Sequence, residues 1–149
     1  MKDYLKVSAL FMLFTYALIS CDKFESPEIT IHEMGYENSR IVKAGADLHI
    51  DAEILAPLKI ANIQLIIHSE SVHSAVPAQK ASSNITTTEW QVDSIYTKGY
   101  SGVKNAEFHE HLDVPLTATL GHYHVHIKVT DMDGNQSVKE DEIEVQIEN

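Results

Sequence analysis

The stretch GHYHVHIKVTDMDGN, residues 121–135, decides the fold class of this 149-residue chain. Apolar and polar residues alternate along its first ten positions, which is the period of a β-strand with one buried face. The apolar positions are Tyr123, Val125, Ile127 and Val129. The Asp133-Gly134 pair that follows favours a tight hairpin turn. We therefore predict a strand at 121–130 that turns back into another strand.

The same alternation recurs on both sides of this hairpin and predicts seven short strands. They cover about residues 27–33, 47–55, 59–68, 90–96, 104–114, 121–130 and 136–147. A short extended piece at 40–43 precedes the second strand, and residues 69–87 are rich in Ser, Thr and Ala and predict a loop. The last strand is expected to bury Ile143, Val145 and Ile147. Strands of this number and spacing are typical of an immunoglobulin-like β-sandwich, so the predicted fold is all-β.

The first twenty residues have the pattern of an export signal. Lys2 and Lys6 lie in a charged start, and the uncharged run at 7–19 is too short for a comfortable membrane span. It ends in Leu18-Ile19-Ser20-Cys21, which resembles the lipobox of bacterial lipoproteins, where the cysteine thiol receives the lipid. We predict a lipoprotein signal peptide at 1–20, lipidated Cys21 with a tether at 21–27, and an Ig-like domain at 28–149. The alternative is a plain secretory signal with a chance cysteine.

Net charge, cysteine content and the lack of catalytic motifs limit the functions that the sequence predicts. The chain has 11 Lys and Arg against 22 Asp and Glu, a net charge of −11. Because so acidic a domain repels phosphate backbones, we expect no nucleic-acid partner. One cysteine allows no intramolecular disulfide. The sequence also lacks a Gly-x-Ser-x-Gly nucleophile motif and a phosphate-binding glycine loop, so we predict that the protein is not an enzyme.

Nine histidines form the most unusual feature of the sequence, and several alternate with apolar residues. His122, His124 and His126 share one face of the predicted sixth strand, and His109 and His111 share a face of the fifth. Histidines two apart on a rigid strand make a half-site for Zn²⁺, Cu²⁺ or Ni²⁺, because their rings can converge on one ion.

Neighbouring strands of an Ig-like sandwich complete these half-sites. The third strand adjoins the sixth, which predicts a leading metal site with His68, His122 and His124 as ligands and with His73, His126 and His109 as alternates. The second strand adjoins the fifth, which predicts a weaker cluster of His49, Asp51, His109 and His111. Two other interpretations stay open: solvated polar positions on exposed faces, or pH sensing by rings that repel one another when protonated.

Several motifs resemble a known family. Gly121-His122-Tyr123 and the turn at 131–135 look like the last hairpin of bacterial Ig-like domains, in which the tyrosine hydroxyl bonds back to the upstream backbone. The whole layout resembles the DUF4625 family of Bacteroidetes lipoproteins. The matching parts are the lipobox, Ile66-Ile67-His68, the Trp90 strand, the stretches 105–109 and 113–115, and Gly121-His122-Tyr123-His124. The resemblance implies an Ig-like fold and a cell-envelope location, and it implies no activity.

These observations predict a lipid-anchored cell-envelope protein, expected at the outer membrane, that binds a transition-metal ion through surface histidines. Its partners would be the membrane, through the anchor, and a metal ion or an envelope protein. The alternative is a protein- or glycan-binding accessory or adhesion module without metal. The two differ in one observable, because metal binding requires imidazole nitrogens from separate strands to converge.

Overall fold

The computed structural model describes residues 26–70 and 87–147 of the chain. Within them lie eight β-strands and one short 3₁₀ turn at Tyr36–Asn38. The strands are β1 (Glu28–Met34), β2 (Ile41–Lys43), β3 (Asp47–Leu55), β4 (Ile60–Ser69), β5 (Val92–Tyr96), β6 (Asn105–Asp113), β7 (Gly121–Asp131) and β8 (Gln136–Gln146). They form a three-stranded sheet in the order β1-β3-β6 and a five-stranded sheet in the order β2-β8-β7-β4-β5. The prediction of an all-β sandwich is confirmed.

The strand neighbours that the sequence predicted are the ones observed. β4 pairs antiparallel with β7, and β3 pairs antiparallel with β6 in the other sheet. The extended piece predicted at 40–43 proves to be a strand of its own, β2, which pairs in parallel with the end of β8. Three residues contain too few alternations to be recognised as a strand, so only the pairing with β8 identifies it.

The apolar positions of the alternating segments fill the space between the sheets. Tyr123 and Phe108 are the largest fully buried side chains. Fully buried isoleucine, leucine and valine positions from both sheets surround them: Leu48, Ile50, Ile54, Ile60, Ile63, Leu65, Ile67, Val125, Ile127 and Val129. This continuous core holds the polar positions of the same strands on the two outer faces.

One inward-facing prediction is wrong. Ile147 is 60% exposed, whereas Ile143 and Val145 are buried. The reason lies in the register, because Gly121 opens β7 opposite Val145 and β8 ends one residue later at Gln146. Ile147 thus lies beyond the end of its antiparallel neighbour.

Tyr123 forms the corner that the hairpin motif predicted. Its hydroxyl donates a hydrogen bond to the backbone oxygen of Thr119 at 2.8 Å, and its ring packs on the buried Trp90 with 5.6 Å between ring centroids. Burial is the main cause that raises the pKa of the Tyr123 phenol above its usual value. The corner fixes the segment that leads into β7.

Several predictions fall on other parts of the chain. The signal at 1–20, Cys21 and His73 lie outside the described residues, as does most of the loop predicted at 69–87. No helix in the described ranges has the length and apolar character needed to cross a membrane.

Candidate metal centre

Three histidines converge on the outer face of the three-stranded sheet. His49 lies on β3 directly opposite His111 on β6, and Asp51 lies opposite His109. The neighbouring positions Leu48, Ile50 and Phe108 are fully buried. Because strand side chains alternate between faces, burial of these three turns the imidazoles outward together.

The ring nitrogens lie at distances suited to one shared ion. The Nε2 atoms of His109 and His111 are 3.2 Å apart, and Nε2 of His49 is 3.5 Å from Nδ1 of His109. One ligand atom from each ring lies within 4.8 Å of the other two. Tetrahedral Zn–N bonds of about 2.0–2.1 Å place ligand nitrogens about 3.3 Å apart. Small rotations of the exposed rings would therefore bring all three nitrogens to bonding distance.

Carboxylates hold the two outer rings of this cluster. Nδ1 of His111 contacts Oδ2 of Asp47 at 2.5 Å, and Nδ1 of His49 lies 3.5 Å from Oε1 of Glu33. Glu33 reaches this face because the β1–β3 register shifts between Ile31 and Glu33. In histidines that bind metals, the N–H of the second ring nitrogen commonly donates a hydrogen bond to such a carboxylate, which fixes the tautomer and the ring orientation.

The hydrogen-bond pattern of these three histidines provides a proton for only one of the two nitrogen–nitrogen contacts. When the Nδ1 atoms of His111 and His49 donate to their carboxylates, each Nε2 carries a lone pair aimed at His109. A neutral His109 ring has one N–H and can satisfy only one of these acceptors. The other contact then joins two lone pairs, unless a second proton or a metal ion lies there.

The surrounding charge also favours a cation. Strands β1, β3 and β6 together contain no Lys or Arg and eight acidic residues, all of which except Glu110 lie on the outer face. A face with one sign of charge raises the local concentration of ions of the opposite sign. His49, His109 and His111 are therefore side chains of a kind that binds metals, and they are surrounded by acidic residues.

His68, His122 and His124 of the predicted leading site lie on the opposite face, outside the five-stranded sheet. His68 on β4 is the direct cross-strand partner of His124 on β7, and its Nε2 atom is 3.3 Å from Nε2 of His126. His122 forms an ion-pair contact with Glu142 on β8 instead. The structure thus joins His68 to His124 and His126, and it directs His122 to a carboxylate.

Sequence reasoning missed the two carboxylates that orient the cluster. A signal for Asp47 exists, because Asp47-Leu48-His49 places it on the same face as His49. Glu33 carries no such signal, since strict alternation from Ile29 and Ile31 would turn it inward, and only the bulge turns it outward.

The Asp131 carboxylate, in the turn between β7 and β8, accepts its hydrogen bonds from groups within the same turn. Asp131 is buried and accepts hydrogen bonds from the backbone N–H groups of Asp133 and Asn135 and from the Asn135 side chain, at 2.8–2.9 Å. Burial opposes ionisation of Asp131, but these hydrogen bonds outweigh it and hold its pKa below the ordinary value. The segment is a hairpin turn, as the Asp-Gly pair predicted.

Comparison with known proteins identifies the family of this chain. The chain belongs to the family described as domain of unknown function (DUF4625), whose model matches residues 19–146. No protein of curated function matches the sequence.

Three solved structures resemble this chain at low sequence identity. The sporulation control protein Spo0M from Bacillus subtilis is 12% identical with a TM-score of 0.48, covering 83% of this chain and 51% of its own. A Niemann-Pick type C2 protein from the Japanese carpenter ant is 7% identical with a TM-score of 0.47, covering 84% and 96%. A catalytically inactive OgpA from Akkermansia muciniphila, in complex with an O-glycopeptide, is 9% identical with a TM-score of 0.44, covering 85% and 32%. The chain thus spans about half of the length of Spo0M and about a third of that of OgpA.

Proposed function

We propose that this protein binds a late first-row transition-metal ion, Zn²⁺, Cu²⁺ or Ni²⁺, through His49, His109 and His111. The observation that carries the proposal is the convergence of three imidazole nitrogens from two paired strands within 4.8 Å. Imidazole is a ligand type that all three ions accept. The carboxylates of Asp47 and Glu33, which orient the outer two rings, support the same conclusion.

The open position of the cluster favours binding and transfer of the ion over catalysis. His109 and His111 are exposed on a flat outer face, and His49 is only partly buried. An ion held there keeps water at its remaining positions, and it is accessible to another protein. We therefore propose metal capture or handling as the role.

We further propose that the domain acts at the cell envelope, attached through lipidated Cys21 and expected at the outer membrane. The support is the lipobox-like sequence, in which a small residue precedes the cysteine after an apolar run. Several acyl chains, at about 0.8 kcal/mol per buried CH₂, would make this attachment effectively permanent. Metabolic labelling with a radioactive fatty acid tests it, because C21A should abolish incorporation of the label.

Isothermal titration of the chelator-treated chain with Zn²⁺, Cu²⁺ and Ni²⁺ tests metal binding. We expect tight stoichiometric binding at pH 7.5 that weakens at pH 5.5, because imidazole ligands must lose their protons. H109Q and H111Q should remove the tight event, while H32Q, a histidine on the same face paired with Glu53, should retain it.

Absence of stoichiometric binding for all three ions would refute the proposal. The alternative of a protein- or glycan-binding module without metal would then be the better account. A tight event that survives in both H109Q and H111Q would also refute the site, since it would show ligands elsewhere in the chain.

A further inference from the structure

A second pair of imidazole nitrogens faces each other on the opposite side of the sandwich. His68 on β4 and His126 on β7 lie on adjacent strands of the five-stranded sheet, and their Nε2 atoms are 3.3 Å apart. The two rings are stacked, with 5.3 Å between centroids and 23° between planes. This separation equals the spacing of about 3.3 Å that two nitrogens adopt on one tetrahedral ion.

The second nitrogen of each ring faces an acceptor. Nδ1 of His126 lies 3.4 Å from Oε1 of Glu140 on β8, and Nδ1 of His68 lies 3.5 Å from the backbone oxygen of Ser69. With each Nδ1–H directed to its acceptor, both Nε2 atoms carry lone pairs. The two Nε2 atoms thus face each other at 3.3 Å, a distance at which both can bind one cation.

Neighbouring side chains extend this pair. The ring of His124 lies 5.5 Å from that of His68 and 6.3 Å from that of His126, measured between centroids. Across the β7–β8 ladder, Glu142 is the direct partner of His124, and Glu140 that of His126. Acidic residues thus flank the histidines on one side, which again favours a positive ion.

We propose that His68 and His126 form a second, weaker binding site for a transition-metal ion, with His124 as the adjacent reserve ligand. The site is weaker than the first centre because two imidazoles, not three, converge. It is independent of the first centre, because the two packed sheets, about 10 Å apart, separate them. The chain therefore binds two ions, one on each outer face.

His122 supplies a matched control for this site. It shares the strand and the face of His126, but its Nδ1 atom contacts Glu142 on β8. Its register partner on β8 is Glu144. H122Q therefore removes an outward histidine from the same strand without removing either proposed ligand.

The test is isothermal titration of the full chain with Cu²⁺ at pH 7.5, in a non-ionic detergent and after removal of metals by a chelator. We expect two binding events in the natural chain. H68Q and H126Q, on two different strands, should each lose the weaker event and keep the tighter one. H122Q should keep both events, and H109Q should lose the tighter event and keep the weaker one. Thermal unfolding without metal verifies that each variant is folded.

Paramagnetic broadening assigns the events to residues. As Cu²⁺ exceeds one equivalent, the imidazole proton signals of His68 and His126 should broaden after those of His109 and His111. A single event that H109Q abolishes would overturn the second site and leave the first intact. Two events that persist in both H68Q and H126Q would also overturn it, whereas loss of every event in the natural chain would overturn both sites.

Discussion

The Nε2 atoms of His109 and His111 lie 3.2 Å apart along one strand, although strand geometry directs both side chains outward without requiring their rings to meet. The contact depends on the neighbouring strand, because Asp47 on β3 holds Nδ1 of His111 at 2.5 Å. The pairing of β3 with β6 therefore creates the ring arrangement as well as the register. It follows that residues outside the ligand set should control metal affinity.

Loss of the Asp47 carboxylate should weaken metal binding without removing a ligand. We expect D47N to lower the affinity about 10- to 100-fold, because the carboxylate fixes the tautomer and orientation of His111. Isothermal titration at pH 7.5 measures the change. D113N is the matched control, since Asp113 lies directly opposite Asp47 on β6 and its loss removes the same charge from the same face. Equal weakening in D47N and D113N would show that charge alone matters.

Replacement of the central His109 should affect stability only when metal is present. Without metal we expect the free energy of unfolding of H109Q to lie within about 0.5 kcal/mol of that of the natural chain. The His109 ring is exposed, and its removal also ends the contact between two nitrogen lone pairs. With free metal at about 100 times Kd, the natural chain should gain about 2.7 kcal/mol and H109Q should not. Urea unfolding with and without metal measures both quantities. A loss above about 2 kcal/mol without metal would instead assign His109 a structural role.

Removal of the Tyr123 hydroxyl should destabilise the fold modestly. Y123F loses the hydrogen bond to the Thr119 backbone oxygen, which then lacks its partner in a largely buried corner. We expect a loss of about 1–2 kcal/mol in the free energy of unfolding, measured by urea denaturation. Y36F is the control, because Tyr36 is 77% exposed and should change the free energy little. No difference between the two variants would contradict the tyrosine-corner interpretation.

The buried Asp131 should make stability fall in acid. Its folded-state pKa lies below the ordinary value of 3.8, so its stabilising contribution is present above pH 3.8 and is lost as the pH falls below that value. We expect D131N to be less stable by about 1–2 kcal/mol at pH 7, since an amide faces the Asn135 side-chain donor, and to show a shallower acid dependence. Urea midpoints between pH 2 and 7 measure the slope. D133N, in the same turn, should retain the pH dependence of the natural chain. If the pH dependence of D133N is as shallow as that of D131N, Asp131 is not the group responsible.

Much of the fold follows from local pattern. Alternation of apolar and polar residues identified seven strands and the inward faces of nearly all of them, because burial of one face imposes a period of two on the sequence. The Asp133-Gly134 pair identified the hairpin for a local reason, namely the backbone conformation that such turns require; Gly134 has a φ of +88°. The sequence did not predict that β2 pairs as a strand or that Ile147 is exposed, since both depend on a partner strand that is distant in sequence.

The sequence by itself determined that this protein is an all-β sandwich with rows of outward histidines, because strand periodicity is a property of consecutive residues. Through the neighbours expected in such a sandwich, it also predicted that His49 lies near His109 and His111, and that His68 lies near His124. Only the tertiary structure decided which nitrogens meet. The cross-strand register places His49 opposite His111. The bulge in β1 turns Glu33 to the outer face, and His122 forms an ion-pair contact with Glu142. Ring orientation depends on side-chain torsions and on partners remote in sequence, so no pattern within a single strand encodes it.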